Sequence, residues 1–542
     1  MSRLFFGLVV NGGLALFATG PSALLAAEQL SGATHICAAP RPAASLSNEG
    51  YGTVHFANTC SAAVQPALQL AIAKLHSFEA EPSDFVSIGR REPTCAIAWW
   101  GAAMAARGNP LGGTLDKKQM FIGRYDVGRA EKAAGKASPR ERALIDAMDV
   151  YYRPYPSTMA RGRAYAEKMD AIHAAYPADP DIGALDGLAI IEGVDLNDKT
   201  FARQRRAGAV LEQVMRDDPQ NPGAPHYLIH AYDYTALAPG AVHAATVEPQ
   251  ISPASSHAQH MPAHIWSMLG EWDKSIEANR RSEYIADPTS AHDPVKGDVV
   301  FEHAFDFIAY ARLQKGEDRH VAQDLAALRA TRGGMPTVVV ARYALERGDW
   351  HDAAAVPIPS DPFDAVLARF TRAYGAARAG DNVQARSELA ELMLLRKPVS
   401  DMAGPYWGTF VDIYGKAVDA WIQKNEGNDA RALDEMKSAA ADDDGHEKHI
   451  YLENKLLPMR ESLGDMEMAL GHPREALAAY QASLTLAPNR YRSFAGAAKA
   501  NEALGNLDAA HDWWQRLVDL SREGDKSRQG DVEAKAFLAA HG

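Results

Sequence analysis

Apolar residues recur along this chain at the three-to-four-residue spacing of helix faces, broken by short Gly, Pro and Asp turns. Ala, Leu and Glu fill the periodic stretches, and no run alternates in the way a half-buried strand would. The pattern predicts an all-α protein. Turns are expected at Asp218-Pro219, Leu269-Gly270-Glu271-Trp272 and Lys315-Gly316-Glu317-Asp318. Breaks are expected at Gly108 to Gly113, Asp287 to Gly297, Pro357 to Pro362 and Asp442 to Gly445. The one long apolar run outside this scheme is at the start. Arg3 precedes Leu4 to Phe17, and small residues follow up to Ala26-Ala27. This reads as a secretory leader cut near Ala26 or Ala27. A retained anchor is the alternative, disfavoured by Gly12, Gly13, Gly20 and the short apolar length.

The end of the chain repeats itself. Leu463-Gly464, Ala476, Tyr480, Ser483 and Pro488 are followed 34 residues later by Ala510, Trp514 and Leu517 in the places of Ala476, Tyr480 and Ser483. Small residues let two helices approach, and the aromatic ring fills the gap between them. The period and order are those of a tetratricopeptide helix pair. The expected architecture is therefore an α-solenoid of antiparallel helix pairs behind a signal peptide. Its expected divisions are a leader (1–27), an N-terminal extension with first helices (28–125), a central part (126–330) and C-terminal pairs (331–542).

Composition narrows the function. A net charge of -13 argues against nucleic acid as a partner. No stretch after the leader is long and apolar enough for a stable membrane span, so the mature chain is expected in a bacterial periplasm or outside the cell. Three cysteines, Cys37, Cys60 and Cys95, are too few for a disulfide-stapled fold. Cys60 and Cys95 could bridge the N-terminal segment to a nearby helix, with one thiol left over whichever pair forms.

Histidine placement carries the chemistry. Eight of the 19 histidines fall between His226 and His303. His226, His230 and Asp233 share one helix side, as do His257, His260 and His264. His303 and Asp306 start a third set. Isolated histidines such as His243, His292 and His320 read as ordinary surface or core groups. Neutral imidazole is the commonest protein ligand for transition metals, and together with carboxylates it suits Zn(II), Cu(II), Fe(II) or Mn(II). The metal-ligand set expected from the sequence is His226, His230, Asp233, His257, His260, His264 and His303, with Asp306, His76, Glu447 and His449 as further candidates. The rival is a hydrogen-bonded polar network, or a groove that takes an acidic peptide. No phosphate loop, nucleophile elbow or dinucleotide fingerprint is present.

The chain also resembles a family of exported bacterial tetratricopeptide-repeat proteins. The resemblance rests on Leu75-His76-Ser77-Phe78-Glu79, Cys95-Ala96-Ile97-Ala98-Trp99-Trp100-Gly101 and Pro139-Arg140-Glu141-Arg142-Ala143. It rests further on His226-Tyr227-Leu228-Ile229-His230-Ala231-Tyr232-Asp233, on His257-Ala258-Gln259-His260-Met261-Pro262-Ala263-His264-Ile265 and on Glu447-Lys448-His449. It spans about residues 53 to 520. It implies that three successive first helices present His or Asp to one concave groove. Where the family often has His-Asn-x-His, this chain has His303-Ala304-Phe305-Asp306, and Ile450 stands where Pro usually follows Glu-Lys-His. The family carries no settled reaction. The sequence thus points to a metalloprotein, with a metal-dependent hydrolase or oxidoreductase as its enzymatic form. The other class is a scaffold whose groove takes a peptide, protein or small molecule. In an enzyme, Tyr227, Tyr232, Tyr234 and Trp266 could shape a substrate wall.

Overall fold

The computed structural model describes residues 50–286, 299–332, 335–448 and 452–541. Among the described residues there is no strand, and helices follow one another in antiparallel pairs. The repeat at the end has the geometry expected of it. Helices Met459–Ala469 and Pro473–Leu486 form one pair, and Tyr491–Ala503 and Leu507–Leu520 the next. Tyr480 wedges between neighbours: a Cβ on Gly464 or Gly496 would stand only 2.7 or 2.3 Å from its ring. Glycine is needed at both places because the ring fills the space a side chain would take. The protein is an all-α solenoid of tetratricopeptide-like helix pairs.

The same grammar runs through the middle. Helix Ala202–Asp217 leads to Gly223–Tyr232, and Trp272–Ala286, Val299–Gln314 and Asp318–Arg332 follow. Gly270 and Gly316 turn the chain with φ of +69° and +71°, a region that side chains with a Cβ rarely enter. The sequence set Asp287 to Gly297 apart as a break; those residues lie outside the described ones. No described helix is long and apolar enough to cross a membrane.

Two long-range devices hold the middle in place. The segment before the first helix, Gln65–His76, packs along the early pairs. Thr53 donates its N–H to the Gln220 carbonyl (3.1 Å), Phe56 stacks on Trp100 (5.3 Å), and Thr59 donates to Glu141 (3.0 Å). Cys60 and Cys95 are joined in a disulfide that anchors this segment. On the other side the last pairs contact the central turns: Trp272 donates its indole N–H to the Asn489 carbonyl at 2.9 Å. Beside them Arg490, fully buried, bonds Glu346 (2.9 Å), Glu461 (3.0 Å) and the Tyr310 hydroxyl (2.6 Å). Such a buried charge is tolerable only with its partners in place.

Candidate metal centre

Four helices deliver six imidazoles. Helix Gly223–Tyr232 carries His226 and His230 one turn apart, and Asp233 stands at its C-terminal end. The helix Gln65–His76 passes so close that a Cβ on Gly223 would meet the His76 ring at 2.3 Å. The set expected on one helix, His257 to His264, is divided. Pro262 has no N–H to continue the ladder, so Ser256–His260 ends at Met261 and a new helix, Pro262–Leu269, begins. The first of these is capped by Ser255, whose hydroxyl accepts from the Ala258 N–H. Glu79 accepts from Ser255 Oγ (3.0 Å), Ser256 Oγ (3.1 Å) and the His257 N–H (2.8 Å). Helix Val299–Gln314 brings His303.

The consequence is two groups rather than one. His226, His230 and His257 form a first triad, and His260, His264 and His303 a second. In each, one ligand atom from every residue lies within 4.8 Å of the others. The groups adjoin: the His230 and His264 rings stand 6.0 Å apart between centroids, as do His257 and His260. His226, His230, His260 and His264 are 1–4% exposed, and His257 and His303 are half-buried. The rings expected to face a concave groove are thus largely enclosed. Phe78 lies on the first triad, 4.5 Å from His226, and Phe307 on the second, 4.8 Å from His264.

Hydrogen bonds fix which ring nitrogens carry protons. In the second triad His264 Nδ1 faces the Asp233 carboxylate at 2.9 Å. His260 Nδ1 faces Asn279 Oδ1 at 2.6 Å, and the Asn279 amide is oriented by donating its own N–H to the Ser275 carbonyl. Both acceptors require a proton on Nδ1. Both Nε2 atoms then carry lone pairs, and these face each other at 3.0 Å. Two acceptors at that distance repel unless a cation lies between them. Burial works against a proton in that place: it pushes the pKa of His260 down to about 3 and that of His264 well below the ordinary value. A tetrahedral ion with bonds near 2.0–2.1 Å to two imidazoles holds their nitrogens about 3.3 Å apart. The donor set, its tautomers and its outer partners all fit such an ion.

The first triad is built more loosely. His226 Nδ1 donates to the His76 carbonyl, and its Nε2 lies 3.1 Å from His230 Nε2. His230 Nδ1 and His257 Nε2 are buried without a partner. Burial lowers the pKa of His226 and His230 well below the ordinary range, that of His257 to about 4, and that of His303 well below.

The other candidates are placed elsewhere. Asp233 belongs to the site as a partner of His264 rather than a member of either triad. Lys448 neutralises it at 2.6 Å, and burial raises its pKa against that pull. Asp306 pairs with Arg342 at 2.8 Å. The His76 ring turns to the Tyr227 hydroxyl (3.1 Å) and toward Asp181 (3.8 Å), leaving only its carbonyl to the site. Glu447 pairs with Lys199 at 2.6 Å near the surface. His449 lies outside the described residues. His446 stacks on Tyr406 at 4.3 Å. The four aromatic side chains considered as a substrate wall do not line one cavity: Tyr232 packs over Gly208, Tyr234 on Phe201, and Trp266 meets Lys274.

Sequence reasoning missed Lys448, Asn279, Phe78 and Phe307. Lys448 and Phe78 sit inside motifs that the family resemblance had already marked. Asn279 and Phe307 left no signal, since nothing local distinguishes them from other helix residues.

No protein-family model matches this chain, and no curated protein matches it. Among solved structures it is similar to the human IFIT1 dimer with m7Gppp-AAAA, at 15% identity over 78% of this chain and 90% of that one, with a TM-score of 0.36. It is also similar to the APC/C hetero-tetramer Cut9–Hcn1 and to yeast Tom70. Each is 11% identical over 88% of this chain and 89% of that one, with a TM-score of 0.28.

Proposed function

We propose that this protein is an exported metalloprotein whose two imidazole triads bind transition-metal ions. One observation carries the reading: the facing Nε2 lone pairs of His260 and His264, 3.0 Å apart, with both Nδ1 protons committed elsewhere. A polar network without metal would place a donor opposite an acceptor there. Three imidazoles leave a coordination position open on each ion, which suits activation of water or dioxygen and hence a hydrolase or oxidoreductase. Export is supported by the apolar leader in the sequence and by the Cys60–Cys95 disulfide, which belongs in an oxidising compartment.

The test is elemental analysis of protein purified without a His-tag. Stoichiometric transition metal is expected, and His260→Ala or His264→Ala should release the ion of their own triad. Protein that carries no metal and takes up none would end this reading.

A scaffold that binds a peptide or protein is the second reading. It is favoured by exposed Phe121 and Tyr125, one turn apart. The Tyr125 ring lies 5.5 Å from Arg129, which with Trp99, Lys132 and Lys136 lines a cleft of ≈ 490 Å³. Capture of an acidic peptide that survives chelation would support it.

A further inference from the structure

We propose that the two triads are halves of a single dinuclear copper centre whose exogenous ligand is dioxygen. This rests on the metal-binding reading above and adds nuclearity, metal and ligand to it.

Proximity is the first ground. Rings of different triads, His230 with His264 and His257 with His260, lie 6.0 Å apart between centroids. Ions bound through the converging nitrogens of each triad would be near enough to share one small ligand.

Charge is the second ground. All six candidate ligands are imidazoles. Three of the carboxylates around them are committed: Asp233 to Lys448 and His264, Asp306 to Arg342, and Glu79 to the start of the His257 helix. A neutral donor set is a poor host for two permanently divalent ions, which would bring four positive charges into an enclosed volume. Manganese and non-haem iron sites ordinarily recruit carboxylate ligands, and zinc, which does accept three imidazoles, enters only as the divalent ion. Copper stands at the top of the divalent affinity order, accepts imidazole, and can enter as the monovalent ion. Two copper(I) ions bring half the charge.

Access is the third ground. The rings are covered by Phe78 and Phe307, and four of them are 1–4% exposed. Met261 and Ile265 beside them are fully buried. Apolar packing of this kind admits a small neutral diatomic and holds back charged or bulky substrates.

The electron count closes within the site. Each copper(I) gives up one electron, and dioxygen takes up both. The O–O bond falls from double to single without breaking. No proton or further reductant is consumed, and the reverse transfer releases dioxygen.

The experiment uses the full exported chain without a tag. It is stripped of metal, loaded with copper(I) in the absence of oxygen, and then exposed to oxygen. Expected are two copper ions per chain and a new near-ultraviolet absorption that appears only with oxygen. The oxidised protein should give almost no copper electron-paramagnetic-resonance signal, because two copper(II) spins bridged by one ligand cancel. The His257→Gln variant changes a half-buried ring at the edge of the site, and the His303→Ala variant disturbs the other triad. With helicity intact by circular dichroism, each should hold one copper. On oxidation that copper should give the full signal of one copper(II) and no oxygen-dependent band. Two coppers with full paramagnetic signal in the unaltered protein would overturn the shared centre. So would a single ion per chain, and zinc that copper cannot displace would overturn the choice of metal. Failure to bind any metal would overturn the proposed function itself, which separates the two readings.

Discussion

The second triad hangs on side chains and the first on backbone and packing. His260 and His264 are each oriented by an oxygen of a distant side chain, Asn279 and Asp233, and Asp233 is itself held by Lys448. In the first triad only His226 has its outer nitrogen satisfied, by the His76 carbonyl, and His230 Nδ1 has no partner. Outer partners raise ligand basicity and restrict ring rotation. The difference teaches that six chemically equal ligands need not make two equal sites: the second should hold its ion more tightly and the first should exchange.

The largest effect expected from this asymmetry is on metal retention. Under rising chelator, the unaltered protein should lose its ions in two steps. His230→Ala should abolish the earlier, weaker step and leave the later one. His264→Ala should weaken the later step by more than the ~10- to 100-fold that loss of an outer partner gives. Elemental analysis after dialysis reads both, and a single step for all variants would erase the distinction.

Next comes Asp233→Asn. The amide can still accept from His264, but Lys448 is left as a buried, unpaired cation. Removing one partner of such a pair costs about 3–5 kcal/mol, so thermal unfolding should fall sharply, with metal affinity down roughly 10- to 100-fold. Lys448→Met in the same background should restore most of the stability and not the affinity.

Acid should act on metal-free protein in a definite direction. Burial holds His257 at about 4 and His260 at about 3, against 6.5 for an exposed ring. Between pH 6.5 and about 4 the unfolded chain takes up protons that the folded chain refuses. Stability is thus complete above pH 6.5 and falls as the solution is acidified through that window. Denaturant midpoints at pH 7.5, 6 and 5 should decline in order, and the metal-bound protein should decline more steeply because protons compete for the same nitrogens.

The smallest effect concerns a buried carboxyl outside both triads. Glu453 is fully buried, both its oxygens lack hydrogen-bond partners, and Arg342 is 4.0 Å away. Burial raises its pKa to about 8. As pH rises from 4.5 toward 8 the unfolded chain loses this proton first, so the folded state loses stability. Glu453→Gln should remove that slope. It should gain about 1 kcal/mol at pH 8, the relieved ionisation cost being partly offset by an amide N–H without a partner.

Much of this was legible in the chain itself. The 34-residue echo of Ala476, Tyr480 and Ser483 fixed the helix pairs because tight packing admits few residue types at those places. The crowding of histidines between His226 and His303 pointed to the site because i, i+4 spacing alone sets neighbours on one turn. What could not be read was tertiary. His257 joins one triad and its near neighbours His260 and His264 the other, although helical spacing puts all three on one side. Asp306 kept its place in the helix register yet was taken by Arg342, a residue from the following pair. Glu447 and Lys448 are adjacent, but the first faces solvent-side Lys199 and the second reaches the centre. No local pattern distinguishes them.

The bond from Lys448 to Asp233 joins positions 215 residues apart. A chain made from its N-terminus delivers all six imidazoles well before that lysine arrives. Until then Asp233 is an uncompensated carboxylate beside His264, and the second triad is open on that side. Maturation of the centre is therefore timed by the final fifth of the polypeptide. A product cut short before Lys448 would have all six imidazoles and still lack the counter-charge of Asp233.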